Sequence, residues 1–233
     1  MSEFPLGALA LSLAAAAPEF TLDSATLTTA LAGGATVPDG IDTDLAKAFQ
    51  TAGGGFYGLA AGTIKISTLR QDGREAILAM LEPGNWFGEI TLIDGSPRTH
   101  DATALSALDL LVVPPEAFAL QMRDVVFANA IAALLAARVR GLYSMMEDAT
   151  LRGLRARVAR RLLGLARGDA TQSAELRRSV SLPQEALAMM LGITRQTLSK
   201  ELNVLAGEGI VGLGYGRIEL LSLERLQQLG GAP

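Results

Sequence analysis

The side chains best suited to chemistry lie together in one segment near the carboxyl end of the chain. A predicted helix there presents on its outer face Arg195, Gln196, Ser199, Lys200 and Asn203. Arginine offers a pair of donors to guanine, glutamine offers a donor and an acceptor to adenine, and lysine and serine reach phosphates or base edges. These residue types on one helical face predict contact with the major groove of DNA.

Two short helices separated by a glycine must position that face. Pro183 suits the first turn of a helix over residues 184–191, and Gly192 supplies a tight corner that requires a positive φ. Thr194 caps a second helix over residues 195–206. The inward face of this helix carries leucines at i, i+4 and i+7: Leu198, Leu202 and Leu205. The pattern is typical of a helix-turn-helix.

The residues after the second helix favour DNA binding over an ordinary αα-hairpin with a solvated face. Ile210–Leu213 and Arg217–Leu220 flank Gly214-Tyr215-Gly216, which predicts a β-hairpin beside the helix. Such a hairpin would form the wing of a winged helix-turn-helix domain.

The charge of the chain agrees with a nucleic-acid partner only after the chain is divided. The whole sequence carries a formal charge of −4 and has a pI near 5.1. Residues 1–120 hold 5 basic and 14 acidic side chains, a net charge of −9, whereas residues 121–233 hold 15 basic and 10 acidic, a net charge of +5. We interpret this as an acidic module joined to one that meets a polyanion. The alternative is that the charges only keep two surfaces soluble.

The composition excludes several classes of site. The chain has no cysteine, which rules out a disulfide scaffold, a thiolate iron–sulfur site and a thiol nucleophile. His100 is its single histidine, so a zinc site and a Ser-His-Asp arrangement are not expected, and we interpret His100 as structural or superficial. Because no set of nucleophile, base and orienting group is apparent, no enzyme is predicted. The apolar run 6–17 is too short to span a membrane. No membrane span and no membrane partner are predicted, and the protein is expected to be cytoplasmic.

The middle of the chain consists of short β-like runs separated by turns that contain Gly and Pro. Strands are expected at Phe56–Ala61, Thr63–Leu69 and Arg74–Leu81, with a hairpin turn at Gln71-Asp72-Gly73 and a closing strand or hairpin over Thr103–Val113. Many short strands with frequent turns indicate an all-β roll or barrel.

A helical stretch follows the β-rich region. Glu116–Arg123 predicts a short helix, and Phe127 to about Thr150 predicts a long one. Residues of the long helix recur at 4-3-4-3-4 spacing: Ile131, Leu135, Arg138, Leu142, Met145 and Ala149. This coiled-coil spacing favours a dimerisation helix, although a helix that faces the core of a monomer would share it. A further helix is predicted over residues 154–167.

A second candidate site lies among the predicted strands. The backbone at Gly88 can approach an anion closely, and the short helix after it can direct its positive end to a phosphate. Arg98 can pair with that phosphate, Glu89 can accept a hydrogen bond from a ribose hydroxyl, and Thr99 can donate a further one. The alternative is that Glu89 and Arg98 form a structural ion pair.

Both sites resemble those of one family. The run Gln184–Leu205 resembles the winged helix of the catabolite-activator (Crp/Fnr) regulators, and Pro83–Ala104 is similar to the phosphate-binding cassette of that family. The resemblance implies that Arg195 reads guanine and that Lys200, usually an arginine in the family, contacts a base or the backbone. Gln196 stands where a glutamate often accepts from cytosine, so a different half-site is expected.

The resemblance implies a fold of class α+β. An N-terminal β-roll, like a cyclic-nucleotide-binding jelly roll, is expected over residues 56–120, a long dimerisation helix over 121–152 and a winged helix-turn-helix DNA-binding domain over 153–233. The implied partners are a pseudo-palindromic operator in double-stranded DNA, a second copy of the chain and RNA polymerase. The implied DNA-binding residues are Thr194, Arg195, Gln196, Thr197, Ser199 and Lys200. The implied effector-binding residues are Gly88, Glu89, Arg98, Thr99 and Tyr143.

The resemblance leaves the effector open. Cyclic AMP or a related cyclic nucleotide is implied, yet Leu142 and Tyr143 stand where two small hydroxyl residues contact adenine in the cyclic-AMP-responsive member. Tyr143 can instead stack on a base. Haem and iron–sulfur sensing, found elsewhere in the family, have no ligand set in this sequence. Two alternatives are a DNA-binding regulator that acts without ligand because its pocket is degenerate, and a nucleotide-sensing subunit that acts on a protein partner.

Residues 1–55 do not share the resemblance. The first strands of the roll are expected there, but the required alternation of apolar and polar residues is missing. One hypothesis is a divergent N-terminal segment. The other is a coding frame shifted upstream of about residue 55, which would explain why all 17 arginines lie from Arg70 onward.

Overall fold

The computed structural model describes residues 55–70, 73–98, 100–169 and 176–231. The expectations for residues 1–54, for the turn residues Gln71-Asp72 and for Thr99 lie outside these ranges. The strands are β1 Phe56–Ala61, β2 Ile64–Leu69, β3 Glu75–Leu81, β4 Trp86–Phe87, β5 Asp101–Ala104, β6 Asp109–Val113, β7 Ser179–Ser181, β8 Val211–Gly214 and β9 Arg217–Leu220. The helices are α1 Glu89–Asp94, α2 Pro115–Gln121, α3 Val125–Leu151, α4 Leu154–Ala166, α5 Gln184–Leu191, α6 Arg195–Gly207 and α7 Leu223–Leu229.

The chain divides into two compact units. Of the described residues, the first takes in Gly55–Ser67 together with Met80–Arg140, and the second takes in Thr68–Ala79 together with those from Gly141 onward. The division falls inside α3, so the helix gives its first four turns to one unit and its remainder to the other.

The β-rich region forms two three-stranded sheets. β1 lies between β4 and β6, and β2 lies between β3 and β5. The expectation of one strand or hairpin over Thr103–Val113 is therefore wrong, because β5 and β6 belong to different sheets. The end of β5 is held to Thr63, whose N–H donates to the Ser106 hydroxyl at 3.0 Å and whose carbonyl accepts from Leu105 N–H at 2.9 Å. From there the chain crosses to β1, which it joins as β6.

Aromatic side chains form the core of the first unit. The ring of Phe56 stacks on Trp86 with centroids 4.9 Å apart and meets Phe118 edge to face at 5.4 Å. The first turns of α3 close this core, since Phe127 and Ile131 are both buried in it. α1, which follows β4, packs against this core through Leu92.

The burial of α3 revises the seam predicted for it. Ile131 is buried in the roll core and Leu135 packs against it, so a dimer seam along the whole helix is wrong for these positions. Leu142 and Met145, farther along the same row, are exposed. One apolar row with 4-3-4 spacing can thus pack against the roll core in its first part and be exposed in its second part. The periodicity indicates only that one side of the helix is apolar, not what covers that side.

By length and composition, α3 is also apolar enough to cross a membrane, and it is the one helix among the described residues of which this is true. In its first half Phe127 and Ile131 are buried in the roll core, whereas Val125 and Val126 are exposed. Its second half carries further exposed apolar side chains, among them Leu142 and Met146.

The helix-turn-helix of the second unit is confirmed. α5 has the predicted bounds, and α6 ends one residue beyond its predicted end. Gly192 adopts φ 66°, and the Thr194 hydroxyl accepts from Thr197 N–H at 3.2 Å, as expected of a corner and a helix cap. The three inward leucines of α6 are fully buried: Leu198, Leu202 and Leu205.

The wing is confirmed and is larger than the sequence indicates. β8 and β9 pair as an antiparallel hairpin, and β7 adds a third strand on the other side of β9. β7 and α7 have no counterpart among the predicted elements. Both are short and neither repeats an apolar pattern for long enough to be distinguished from a loop.

Candidate effector pocket and DNA-reading helix

Glu89 is the buried acid at the start of α1. Its side chain is fully buried, and the guanidinium of Arg138 donates one hydrogen bond to its Oε1 and a second to the carbonyl oxygen of Trp86. The other carboxylate oxygen, Oε2, is buried without any hydrogen-bond partner. A buried acceptor left without a donor costs free energy, so Oε2 is suited to a donor that a ligand brings.

At Gly88, beside Glu89, the backbone is packed closely against the Gly55 carbonyl oxygen. It adopts φ +99°, and a Cβ at this position would lie 2.4 Å from the Gly55 carbonyl oxygen and 3.4 Å from Arg98 Nη1. No side chain fits such a position without displacement of the backbone. Glycine is therefore required here by the packing of the roll, and the predicted approach of an anion to this backbone stays a prediction.

Arg98 is half-buried on the same side of the roll. Its Nη2 donates to the Gly55 carbonyl oxygen at 3.2 Å, and its guanidinium carbon lies 5.5 Å from the centre of the Tyr57 ring. Burial raises the pKa of Tyr57, and the positive charge of Arg98 partly offsets this rise. No carboxylate of the described residues pairs with Arg98, so its charge is available to an anion.

The alternative in which Glu89 and Arg98 form a structural ion pair is wrong. The partner of Glu89 is Arg138, which reaches it from α3. Sequence reasoning missed Arg138 because the pair spans 49 residues. The signal that could have found it is a single arginine in an otherwise apolar row of α3.

Two further residues are predicted to bind the effector, Thr99 and Tyr143. Thr99 lies outside the described residues. Tyr143 lies on α3 in the second unit, where its side chain is 65% exposed. No group of three or more His, Asp or Glu residues in the described ranges could hold a metal ion.

The outer face of α6 carries the predicted DNA-reading side chains. Arg195, Gln196 and Lys200 are exposed and make no hydrogen bond or ion pair with the described residues. Thr194 and Thr197 are engaged with each other through their hydroxyl groups, 2.9 Å apart. Ser199 is half-buried.

Most other arginines of the second unit form hydrogen bonds or ion pairs with residues of the same unit. Arg161 pairs with Asp169 through two hydrogen bonds of 2.8 and 3.0 Å, and Arg155 pairs with Glu201 at 2.7 Å. Further internally bonded arginines are Arg152, Arg157, Arg160, Arg177, Arg217 and Arg225. An exposed arginine and lysine without partners on one helix can therefore meet a polyanion without first breaking a contact in the fold.

Two family models match this chain. The cyclic nucleotide-binding domain matches residues 46–124, and the Crp-like helix-turn-helix domain matches residues 156–229. The first match contains Glu89 and Arg98, and the second contains both helices of the helix-turn-helix and the wing.

Relatives and solved structures of the same kind match most of the chain. The cyclic AMP receptor protein of Thermus thermophilus is 33% identical over 178 residues, which are 76% of this chain and 80% of that protein. The CRP-like cAMP-activated global transcriptional regulator of Mycobacterium tuberculosis is 30% identical over 172 residues, 73% of this chain and 77% of that protein. The structure of FixK2 from Bradyrhizobium japonicum is 26% identical with a TM-score of 0.67, over 78% of this chain and 89% of that one. The structure of a CRP-family regulator from Thermus thermophilus is 30% identical with a TM-score of 0.62, over 76% of this chain and 88% of that one.

These matches agree with the geometry of both sites. A β-roll with a buried acid and a half-buried arginine precedes a long helix, and a winged helix-turn-helix with an exposed cationic face follows it. The relatives are transcription regulators and not enzymes. The chain belongs to the Crp/Fnr family and is a DNA-binding transcription regulator.

Proposed function

We propose that this regulator acts in the cytoplasm as a homodimer, that a cyclic nucleotide in its β-roll controls it, and that α6 reads a pseudo-palindromic operator. The observation that carries the effector part is the buried Oε2 of Glu89, which has no hydrogen-bond partner. Two relatives support the ligand class, since one is named a cyclic AMP receptor and the other is named cAMP-activated.

The pocket chemistry fits the sugar and phosphate of a nucleotide. A ribose hydroxyl would supply the donor that Glu89 Oε2 lacks, and the phosphate would meet Arg98. Thr99 would add a hydrogen bond to the phosphate, and Gly88 would allow the backbone to approach it. The residues present do not indicate which base the nucleotide carries. Tyr143 offers a ring for stacking at a position where two small hydroxyl groups are expected for adenine. The proposal is therefore a cyclic nucleotide as a class.

Calorimetry with the full chain tests the effector. We expect one of cyclic AMP, cyclic GMP and cyclic di-GMP to bind, and Glu89→Gln to weaken that binding at least about tenfold because an acceptor for the ribose is lost. Glu116→Gln removes the same charge from an exposed position of α2 and should leave the affinity unchanged. If none of the three nucleotides binds, the regulator with a degenerate pocket is favoured, and the bond from Arg138 to Glu89 is then purely structural.

The second half of α3 carries the proposed dimer contact. Its exposed apolar side chains are Val139, Leu142, Tyr143, Met145, Met146 and Leu151. Burial of such a face in a helix pair would remove it from water and would place two recognition helices against half-sites about 34 Å apart. Analytical ultracentrifugation should show a dimer that Leu142→Glu dissociates. Leu120→Glu, at an equally exposed position of α2, should leave the dimer intact.

The DNA-reading residues are proposed to divide their tasks. Arg195 and Gln196 would contact base edges, whereas Lys200, Ser199, Thr194 and Thr197 would contact the backbone or flanking bases. An effector that shifts the population of dimer-helix arrangements would alter the spacing of the two α6 helices. RNA polymerase is the proposed protein partner, and a ternary complex on operator DNA in a gel shift would test it.

A further inference from the structure

A charge cluster behind the recognition helix joins three helices of the second unit. Arg155, in the first turn of α4, donates from Nε to Glu201 at 2.7 Å and from Nη1 to Glu208 at 3.1 Å. Glu201 lies in the middle of α6, and Glu208 is its C-cap residue. Arg225 of α7 donates to the Glu208 carbonyl oxygen at 2.7 Å.

The cluster holds α6 at two places along its length. Glu201 and Glu208 are seven residues apart, which is about 10 Å along a helix. The buried leucines set which face of α6 is inward and how deeply the helix sits, but the hydrophobic effect is not directional and leaves small tilts and rotations less restricted. Hydrogen bonds from one guanidinium to both acids restrict those tilts and rotations, because the guanidinium is planar and its donors are rigidly spaced.

The environment of Glu201 separates this cluster from an ordinary surface ion pair. Its side chain is only 18% exposed, whereas Lys200 beside it is exposed. The pKa of Arg155 is raised above its ordinary value, chiefly because its guanidinium donates a hydrogen bond to Glu201. In the pair Arg217–Glu219 on the wing, at 3.5 Å, both side chains are by contrast exposed.

We propose that Arg155 is a positioning residue for sequence recognition: through Glu201 and Glu208 it orients α6 so that Arg195 and Gln196 meet the base edges. This inference rests on the proposed role of the latter two residues. Base-edge hydrogen bonds depend strongly on direction, whereas attraction to phosphates depends mainly on charge and distance. Loss of the cluster should therefore weaken specific binding more than non-specific binding.

The rival explanation is that Arg155 itself contacts a phosphate. Its side chain is 41% exposed, so it could reach one. In that case Glu201 competes with the DNA for Arg155, and Glu201→Gln would strengthen binding. If Arg155 positions α6 instead, Glu201→Gln would weaken specific binding as Arg155→Gln does. The sign of the Glu201→Gln effect thus separates the two explanations.

The experiment compares two duplexes with the full chain, with and without cyclic AMP. One duplex is enriched from a random pool by the unmodified protein, and the other is a scrambled version of it. We expect Arg155→Gln and Glu201→Gln each to weaken binding to the enriched duplex about fivefold, with binding to the scrambled duplex and the salt slope unchanged. The double variant should be no worse than either single one, because all three break the same contact.

Two further variants serve as controls. Arg155→Lys keeps a cation beside Glu201 and should recover part of the affinity. Glu224→Gln removes an acidic charge from α7, where the partner of Glu224 is the neutral Gln228. It should change the affinity for both duplexes by the same small factor. Thermal unfolding of every variant shows whether the domain is intact. If Arg155→Gln does not fold, Glu201→Gln and Arg155→Lys still distinguish a positioning role of Arg155 from a phosphate contact.

Three outcomes would overturn the proposal. Equal weakening on both duplexes, with the salt slope reduced by about 1, would make Arg155 a phosphate contact. Unchanged affinity for the enriched duplex in both single variants would show that the cluster does not position α6. Failure of the unmodified protein to prefer the enriched duplex would refute base recognition by Arg195 and Gln196. Arg155 would then have no reading residues to position.

Discussion

The candidate effector site in the roll and the outer face of α6 differ in the solvent exposure of their charged side chains. Glu89 is fully buried and Arg98 half-buried, and both bond to the fold, whereas Arg195 and Lys200 are exposed without partners among the described residues. A small effector in the proposed site would be enclosed, so the groups that bind it would have to be fixed in place beforehand. A duplex arrives from outside and requires free cations. Substitutions in the pocket should therefore cost both stability and binding, and those on α6 should cost binding alone.

Gly88→Ala is expected to show the largest effect on stability. The new Cβ would meet the Gly55 carbonyl oxygen at 2.4 Å in addition to adopting φ +99°, so the roll should lose about 3 kcal/mol of unfolding free energy. Gly95→Ala is the matched control, because Gly95 has φ +69° and an added Cβ there meets nothing within 4 Å; it should cost about 1 kcal/mol. Fluorescence of Trp86, the single tryptophan and a core residue of the roll, reports the unfolding. Equal losses in the two variants would show that the pocket backbone tolerates displacement.

Glu89→Gln is expected to cost about 2 kcal/mol of stability in the absence of any nucleotide, because Arg138 loses its carboxylate. The loss stays below that of a fully buried pair since the Arg138 side chain is 32% exposed and can reach water. Urea unfolding followed by Trp86 fluorescence measures it, with Glu116→Gln as the control. If Glu89→Gln is as stable as the unmodified chain, the expectation that substitutions in this site cost stability as well as binding is wrong. Glu89 would then act only in ligand binding.

The two regions also differ in how far the sequence predicts them. The bounds of α5, the corner at Gly192 and the cap at Thr194 follow from local signals, since each depends on residues a few positions apart. The bond between Glu89 and Arg138 depends on two segments that only the tertiary fold brings together. For the same reason the row that begins at Ile131 did not show where the roll core ends and the exposed face of α3 begins.

Arg195→Ala is expected to affect binding without affecting stability. Its side chain has no partner in the described structure, so the unfolding free energy should change by less than about 0.5 kcal/mol, while binding to an enriched duplex should weaken by about 1–3 kcal/mol. Arg167→Ala removes the same charge from an exposed position at the end of α4 and should weaken binding less, and equally for all sequences. Comparable losses of specificity in the two variants would assign recognition to net charge and not to the face of α6.

The smallest expected effect is an alkaline one, and it tests whether Tyr57 belongs to the enclosed pocket. Burial raises its pKa above the ordinary value of 10.0, so the folded roll holds the phenol proton more tightly than the unfolded chain does. The stability that this contributes is fully present below pH 10 and is lost as the pH rises through the folded pKa, because the unfolded state ionises first. The loss is at most about 1.4 kcal/mol per pH unit. Tyr57→Phe should remove this part of the decline in the pH dependence of Trp86-detected unfolding, whereas Tyr215→Phe, at the exposed wing tip, should retain it. A decline that is unchanged in Tyr57→Phe would mean that Tyr57 meets water as freely as the side chains of α6 do.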